Sequence, residues 1–325
     1  MKLIISEYRA LGGYVSREFH QIMADLMTNY DWRQIDTFEL WNAGGSLKDR
    51  LLNRFGEVPN IILFWEGYEF LCAHLSQVSE LACHRVILAD DLHWWNEEMR
   101  LRKLIAFSSC HAVLSTYAYG WTRFYPELAE TRRPEWVPHS ASREFMLDYN
   151  PHPDNSILLS GVIDRHYPLR QQLKQLQGCY PINHHCHPGY HCSYDYGTNP
   201  NVGRGYADKI NNHRIGFTDS AIYKYVVAKY FEIPATGALL LADDAVRGPL
   251  KELGFIEGVH YIAVSKENLD EQIRYVLDAT NHEQLDEIRR RGQKLVWDRH
   301  KTSDRARQIN QLCTQAAGVA GSNLQ

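Results

Sequence analysis

The feature that most constrains this chain is a rhythm of short apolar runs alternating with helical stretches. The run NIILFWE over 60–66 is almost wholly apolar. A strand with both faces apolar needs cover on both faces, the mark of a parallel sheet clothed in helices. Strands are expected over 2–6, 37–41, 60–66, 85–90 and 112–117. Between them, helices are expected over 16–30 and from a Ser46 cap to residue 55. Pro134, Pro138, Pro151 and Pro153 then cluster among polar residues and mark a boundary. The rhythm restarts beyond it, with strands over 156–162, 179–184, 214–218, 238–241 and 260–264 and a helix over 167–177. Leu285, Ile288, Leu295 and Val296 share one face of a helix, and a last helix begins near Thr302. A chain of 325 residues has room for two cores. The expected fold is α/β: two Rossmann-like, doubly wound domains over 1–150 and 151–300, facing a central cleft, then a C-terminal helix and tail over 301–325.

Composition removes several partners. A formal net charge of -4 gives no general attraction to nucleic acid or an anionic membrane. No run approaches the ~18 apolar residues of a membrane span. The opening MKLIISEYRA turns polar too soon for a signal peptide. The seven cysteines are scattered and form no secreted disulfide framework. A cytoplasmic protein with free thiols is expected.

Open α/β sheets bind ligands beyond the carboxyl ends of their strands, so the residues there are the candidates. The segment 217–244, FTDSAIYKYVVAKYFEIPATGALLLADD, reads as a loop, a helix capped by Asp219 or Ser220, a turn at Gly237 and a buried strand. Free amides at such a helix start face phosphates. Lys224 and Lys229 are near enough in sequence to neutralise a diphosphate, and Glu232 can accept hydrogen bonds from ribose hydroxyls. The plainer reading is a crossover helix with solvated charges. Gly161 at a strand end lets backbone approach phosphate. Arg165, in the stretch GVIDRHYPLR that ends at Arg170, offers a planar fork for it. The same stretch also reads as an ordinary turn with exposed arginines. Gly13, after Gly12, is a weaker signal of the same kind, and no GxGxxG pattern surrounds it.

Asp91 and His93 follow the strand over 85–90. A carboxylate or imidazole there can deprotonate a hydroxyl or bind a sugar. Asp91 can instead simply cap the next helix. Glu66 is a weaker alternative base. Cys179, His184, His185, Cys186, His187, His191 and Cys192 crowd together. Cys and His bind zinc, but their spacing matches no paired ligand geometry, so no metal site is expected. His187 and Tyr190 are read as residues of a ligand-facing loop. GxSxG, Walker A and HExxH are all absent.

Taken in order, His187-Pro-Gly-Tyr190, Tyr206-Ala207, Tyr225 to Ile233 (YVVAKYFEI), the GALLL run from Gly237, the LGFIEG run from Leu253 and Arg291-Gly292 resemble the CgeB-like, group 1 branch of glycosyltransferases with the GT-B fold. The resemblance covers roughly 156–312. It implies a nucleotide-sugar donor, most simply a UDP- or GDP-sugar, bound by the second domain, with the acceptor bound by the first. No metal or other cofactor is required. Glu232 matches the glutamate that contacts the donor ribose. Lys224 stands where many retaining members carry a second acid, which leaves the stereochemical outcome open. The expected reaction is transfer of a sugar to a hydroxyl of a glycan, a small molecule or a modified DNA base. Arg165, Lys229 and the helix start at Ser220 would meet the leaving diphosphate, Tyr190 would stack on the base, and Asp91 would act as base if the reaction inverts, or with His93 position the acceptor and donor sugar if it retains. A nucleotide-sugar epimerase and a non-catalytic, zinc-stabilised binding protein are the alternatives.

Overall fold

A computed structural model describes residues 1–8, 10–42, 44–189 and 193–322. The chain forms two compact units. The first comprises Met1–Gly12, Phe19–Pro138 and Ser303–Gln325; the second comprises Gly13–Glu18 and His139–Thr302.

The first unit holds β1 (Lys2–Ser6), β2 (Trp32–Asp36), β3 (Ile61–Trp65), β4 (His84–Ala89), β5 (Ala112–Ser115) and β6 (Glu135–Trp136) in the order β2-β1-β3-β4-β5-β6. Every pairing is parallel. The apolar run at 60–66 becomes β3, buried along its whole length. Ser46 caps the helix Leu47–Phe55 through a capping box with Asp49. One expected strand is absent: 37–41 is the helix Thr37–Trp41, and the strand is the preceding WRQID. The alternation in TFELW suits a strand, but the Asp36 carboxylate accepts from Phe38 N at 2.9 Å and caps a helix there.

The C-terminal helix Thr302–Ser322 is part of this first unit. Ala306, Ile309 and Cys313 share its core with Ile4, Leu26 and Trp32. Asn310 Oδ1 accepts from Lys2 Nζ at 3.0 Å and from Trp32 Nε1 at 3.0 Å, which ties the helix to β1 and β2.

The second unit holds β7 (Asp154–Ser160), β8 (Ile182–His185), β9 (His213–Thr218), β10 (Leu239–Asp243) and β11 (Ile262–Val264), ordered β11-β10-β9-β7-β8. These pairings are also parallel. The chain winds outward from β7 to β8, then returns past β7 to lay down β9. The carboxyl ends of β7 and β9 therefore flank a topological switch point, where doubly wound sheets hold ligands. Gly216 in β9 sets the depth of the adjoining helix Lys229–Ala235. A Cβ at this position would lie 2.7 Å from Ile233 Cγ2, so any side chain would push that helix outward.

Replacing Asn310 by Ala should cost about 1–2 kcal/mol, because the buried Trp32 Nε1 loses its acceptor. Urea unfolding measures this, and an unchanged midpoint would remove Asn310 as the tie.

Candidate functional site

The switch point of the second unit gathers charge. β7 ends at Ser160, and Gly161 follows with φ +100, a conformation L side chains rarely adopt. A Cβ there would lie 2.6 Å from Arg170 Nη1 and 3.5 Å from Lys229 Cε, so a bare backbone, a guanidinium and a lysine stem converge. Arg170 is almost fully buried, stacked over the Tyr167 ring at 3.8 Å. Its Nη1 donates to the Val162 carbonyl at 3.0 Å. Its Nε lies 3.5 Å from Asp219 Oδ1 and makes no hydrogen bond. Asp219, at the end of β9, accepts from Arg170 N at 3.1 Å and Ala221 N at 3.3 Å. Burial raises the Asp219 carboxyl, while Arg170 opposes that rise.

The helix Lys229–Ala235 lies over the end of β9 and supplies Lys229 and Glu232. Burial and the neighbouring Arg170 push the Lys229 ammonium down, and Glu232 partly restores it. Burial pushes the Glu232 carboxyl up to about 7, while Lys229 holds it lower than burial alone would. Lys229 Nζ is 6.0 Å from the Tyr206 ring centroid, and Tyr206 Oη shares a 2.6 Å hydrogen bond with Ser160 Oγ. His185 stacks on the same ring at 5.3 Å. His187 is pushed down to about 4 by burial and by Lys229 and Arg170, which places its ring in the same cationic field. Two cations held beside bare backbone with spare donor capacity have the chemistry to hold an anion.

Several expected residues sit differently. The helix expected to open at Ser220 does not: 219–228 is non-helical, with a turn over 221–224 in which Ala221 and Lys224 take φ +55 and +60. Ser220 Oγ and N instead donate to Asp243 Oδ2, at 2.5 and 3.2 Å, which clamps the end of β9 to that of β10. Lys224 and Arg165 are exposed. Arg170, later in the same GVIDRHYPLR stretch, is the arginine that meets Gly161. Its signal in sequence was position: it falls two residues inside the helix Pro168–Gln175, so it turns back toward the strand end. Gly13 closes the short helical turn Ala10–Gly13. Tyr190, His191 and Cys192 lie outside the described residues.

The first unit has its own polar cluster beyond β3, β4 and β5. Glu66 follows β3 at φ +58, a strained conformation for a side chain of this size. Its half-buried carboxyl accepts from Asp90 N; lost hydration and then the Asp90 charge push it up to about 8. Asp90 is buried and takes a hydrogen bond from Thr116 Oγ1 at 3.0 Å. Asp91 is half-exposed, with its carboxylate 3.6 Å from His93 Nδ1. Lys103, which no motif marked, is buried on the helix Glu97–Ser109 and donates to the carbonyls of Asp91 and His93. It pins the backbone that carries both candidates.

Among the described residues no group of three or more His, Cys, Asp and Glu is arranged to hold a metal ion. Among them, too, no helix is long and apolar enough to cross a membrane.

Residues 167–311 match a family model described as glycosyl transferase-like. No significant match to a curated protein sequence is found. Among solved structures, a sucrose-phosphate synthase from Thermosynechococcus elongatus is similar at a TM-score of 0.66 and 10% identity, over 98% of this chain and 100% of that one. An alpha-glucosyltransferase in complex with UDP and a 13-mer DNA is similar at 0.66 and 11% identity, over 97% and 100%. The Anabaena protein HepE, in complex with UDP and glucose, is similar at 0.62 and 10% identity, over 97% and 100%. At such identities the likeness speaks to architecture: two doubly wound units of the GT-B fold. The glycosyl transferase-like match covers the segment that carries Arg170, Lys229 and Glu232.

The Glu66 carboxyl carries a sign that can be checked. Its value rises from 4.5 to about 8 on folding. Between those values the folded state holds a proton that the unfolded state has lost, so its contribution to stability is lost as pH rises. Glu66→Gln should flatten the fall in melting temperature across that window relative to the parent. Parallel curves would contradict the raised carboxyl.

Proposed function

We propose that the second unit binds a nucleotide-sugar donor and that the protein transfers the sugar to a hydroxyl-bearing acceptor. The observation that carries this reading is the convergence of Arg170 and Lys229 on the bare backbone at Gly161, at the switch point of the sheet. Glu232, buried on the same helix as Lys229, is assigned to the ribose hydroxyls, which need an acceptor. UDP is the first nucleotide to test, since the HepE and alpha-glucosyltransferase structures hold it. His187 adds a neutral imidazole beside the two cations, and Ser220 sets the loop through Asp243. Tyr190 keeps its assignment to base stacking on sequence grounds.

In the reaction the acceptor oxygen forms a bond to the anomeric carbon and the bond from that carbon to the diphosphate breaks. Negative charge grows on the leaving diphosphate, where Arg170 and Lys229 stabilise it most. The acceptor hydroxyl must lose a proton. In the first unit Asp91, with His93 beside it, is assigned as the group that takes it if the anomeric configuration inverts. Glu66 suits that role less well: a carboxyl pushed up to about 8 is mostly protonated at neutral pH. The free thiols of Cys72, Cys83, Cys110, Cys179, Cys186 and Cys313 suit a reducing, cytoplasmic setting.

Two sets of variants test the reading. Arg170→Lys keeps the charge but loses the fork, and should weaken nucleotide diphosphate binding about tenfold, while Arg165→Ala stays within about twofold. The reverse order would return the diphosphate to Arg165. Asp91→Asn should abolish transfer with donor affinity intact, measured by product formation and by calorimetry. Near-normal turnover would remove Asp91 as base.

A further inference from the structure

The short segment Gly13–Glu18 leaves β1 and packs as part of the second unit. Three anchors hold it. Glu18 Oε1 accepts from Ser140 N at 2.5 Å and from Ser140 Oγ at 2.8 Å, and its Oε2 lies 2.8 Å from His139 Nδ1. All three residues are buried. Gly203 N donates to the Val15 carbonyl at 2.8 Å, and Tyr196 Oη donates to the Tyr14 carbonyl at 2.6 Å. Between these anchors Ser16, also buried, hydrogen-bonds the Glu232 carboxylate. A serine hydroxyl held on both sides by its backbone and aimed at one carboxylate is costly to place unless its direction matters.

We infer that Ser16 is a positioning residue for Glu232, turning the carboxylate and favouring its ionised form so that it can accept from the donor ribose. The inference rests on the assignment of Glu232 to the ribose. An ionised carboxylate has about four acceptor directions, so one bond from Ser16 leaves room for two ribose hydroxyls. The charges that face Glu232 set a narrow balance. Lys229 on its own helix and His139 favour the ionised form, while Glu18 and burial oppose it. Tyr206 also faces it, from the helix Gly203–Asn212. With Glu232 at about 7, losing one donor moves it across neutral pH. A protonated Glu232 is a poorer acceptor, so donor affinity falls with it.

The test is calorimetric binding to the full chain of whichever of UDP, GDP, ADP and dTDP binds tightest, from pH about 5 to about 9. The variants are Ser16→Ala, Ser16→Thr and Glu232→Ala. The parent should lose affinity as pH falls through the Glu232 transition. Ser16→Ala should displace that transition upward and weaken binding about tenfold at neutral pH, with recovery at high pH. Ser16→Thr, which keeps the hydroxyl, should stay within about threefold. Loss by the same factor at every pH would mean that Ser16 only packs the segment, and would overturn the inference. So would parent-like binding by Ser16→Ala while Glu232→Ala loses affinity. If Glu232→Ala binds like the parent, or no nucleotide binds at all, the donor assignment fails first and the inference falls with it.

Discussion

The second unit depends on one close approach. Gly161 leaves β7 in a conformation that suits glycine, and the space its missing side chain vacates is filled by Arg170 and Lys229. Lost hydration, and then repulsion by the neighbouring Arg170 cation, push the Lys229 ammonium down. Asp219 and Glu232 offset part of that cost from the end of β9 and from the crossing helix. What remains is a polar cluster that is only partly satisfied, and Arg170 Nε is its clearest open donor. Such incompleteness is costly in a core and reasonable in a receptor, because a bound anion supplies the missing acceptors. The depth of the cluster follows from packing: Gly216 lets the helix Lys229–Ala235 lie close on β9, which carries Lys229 and Glu232 to the strand end.

The first unit uses different means for a similar end. Its strand ends carry carboxyls, and one buried lysine, Lys103, fixes the loop between them through main-chain carbonyls. Lost hydration and the neighbouring Asp90 charge keep the proton on Glu66 to a higher pH. Asp91, one residue further on, faces solvent and escapes that constraint. Neighbouring carboxyls thus acquire different acidities through burial and mutual charge.

Most of the architecture was legible because the strands are apolar on both faces and their period survives local noise. Both sheets are parallel and helix-covered, as NIILFWE and its counterparts require. The strand expected at 37–41 failed because a single carboxylate, Asp36, outweighs an alternating pattern. The site was legible as a region and less so as residues. Gly161, Lys229 and Glu232 meet in space, but Arg165 faces solvent where Arg170 is buried, since which arginine of a βα turn points inward depends on where the helix begins. Ser220 was read as a helix cap, yet the turns at Ala221 and Lys224 postpone the helix to Lys229. Ser16 and Lys103 had no local signal at all. Their partners are far away in sequence, and only the folded chain brings them together.

Everything proposed for the second unit requires that it bind a nucleotide diphosphate. A thermal-shift series with UDP-, GDP-, ADP- and dTDP-sugars tests it most directly. A ligand bound only by the native state raises stability as RT ln(1 + [L]/Kd), about 2.7 kcal/mol at a hundred times Kd. A saturable rise in melting temperature is expected with at least one of the four, retained by the free nucleotide diphosphate and lost with the nucleoside alone. No shift with any of them, or an equal shift with the bare nucleoside, would contradict a site organised by Arg170 and Lys229.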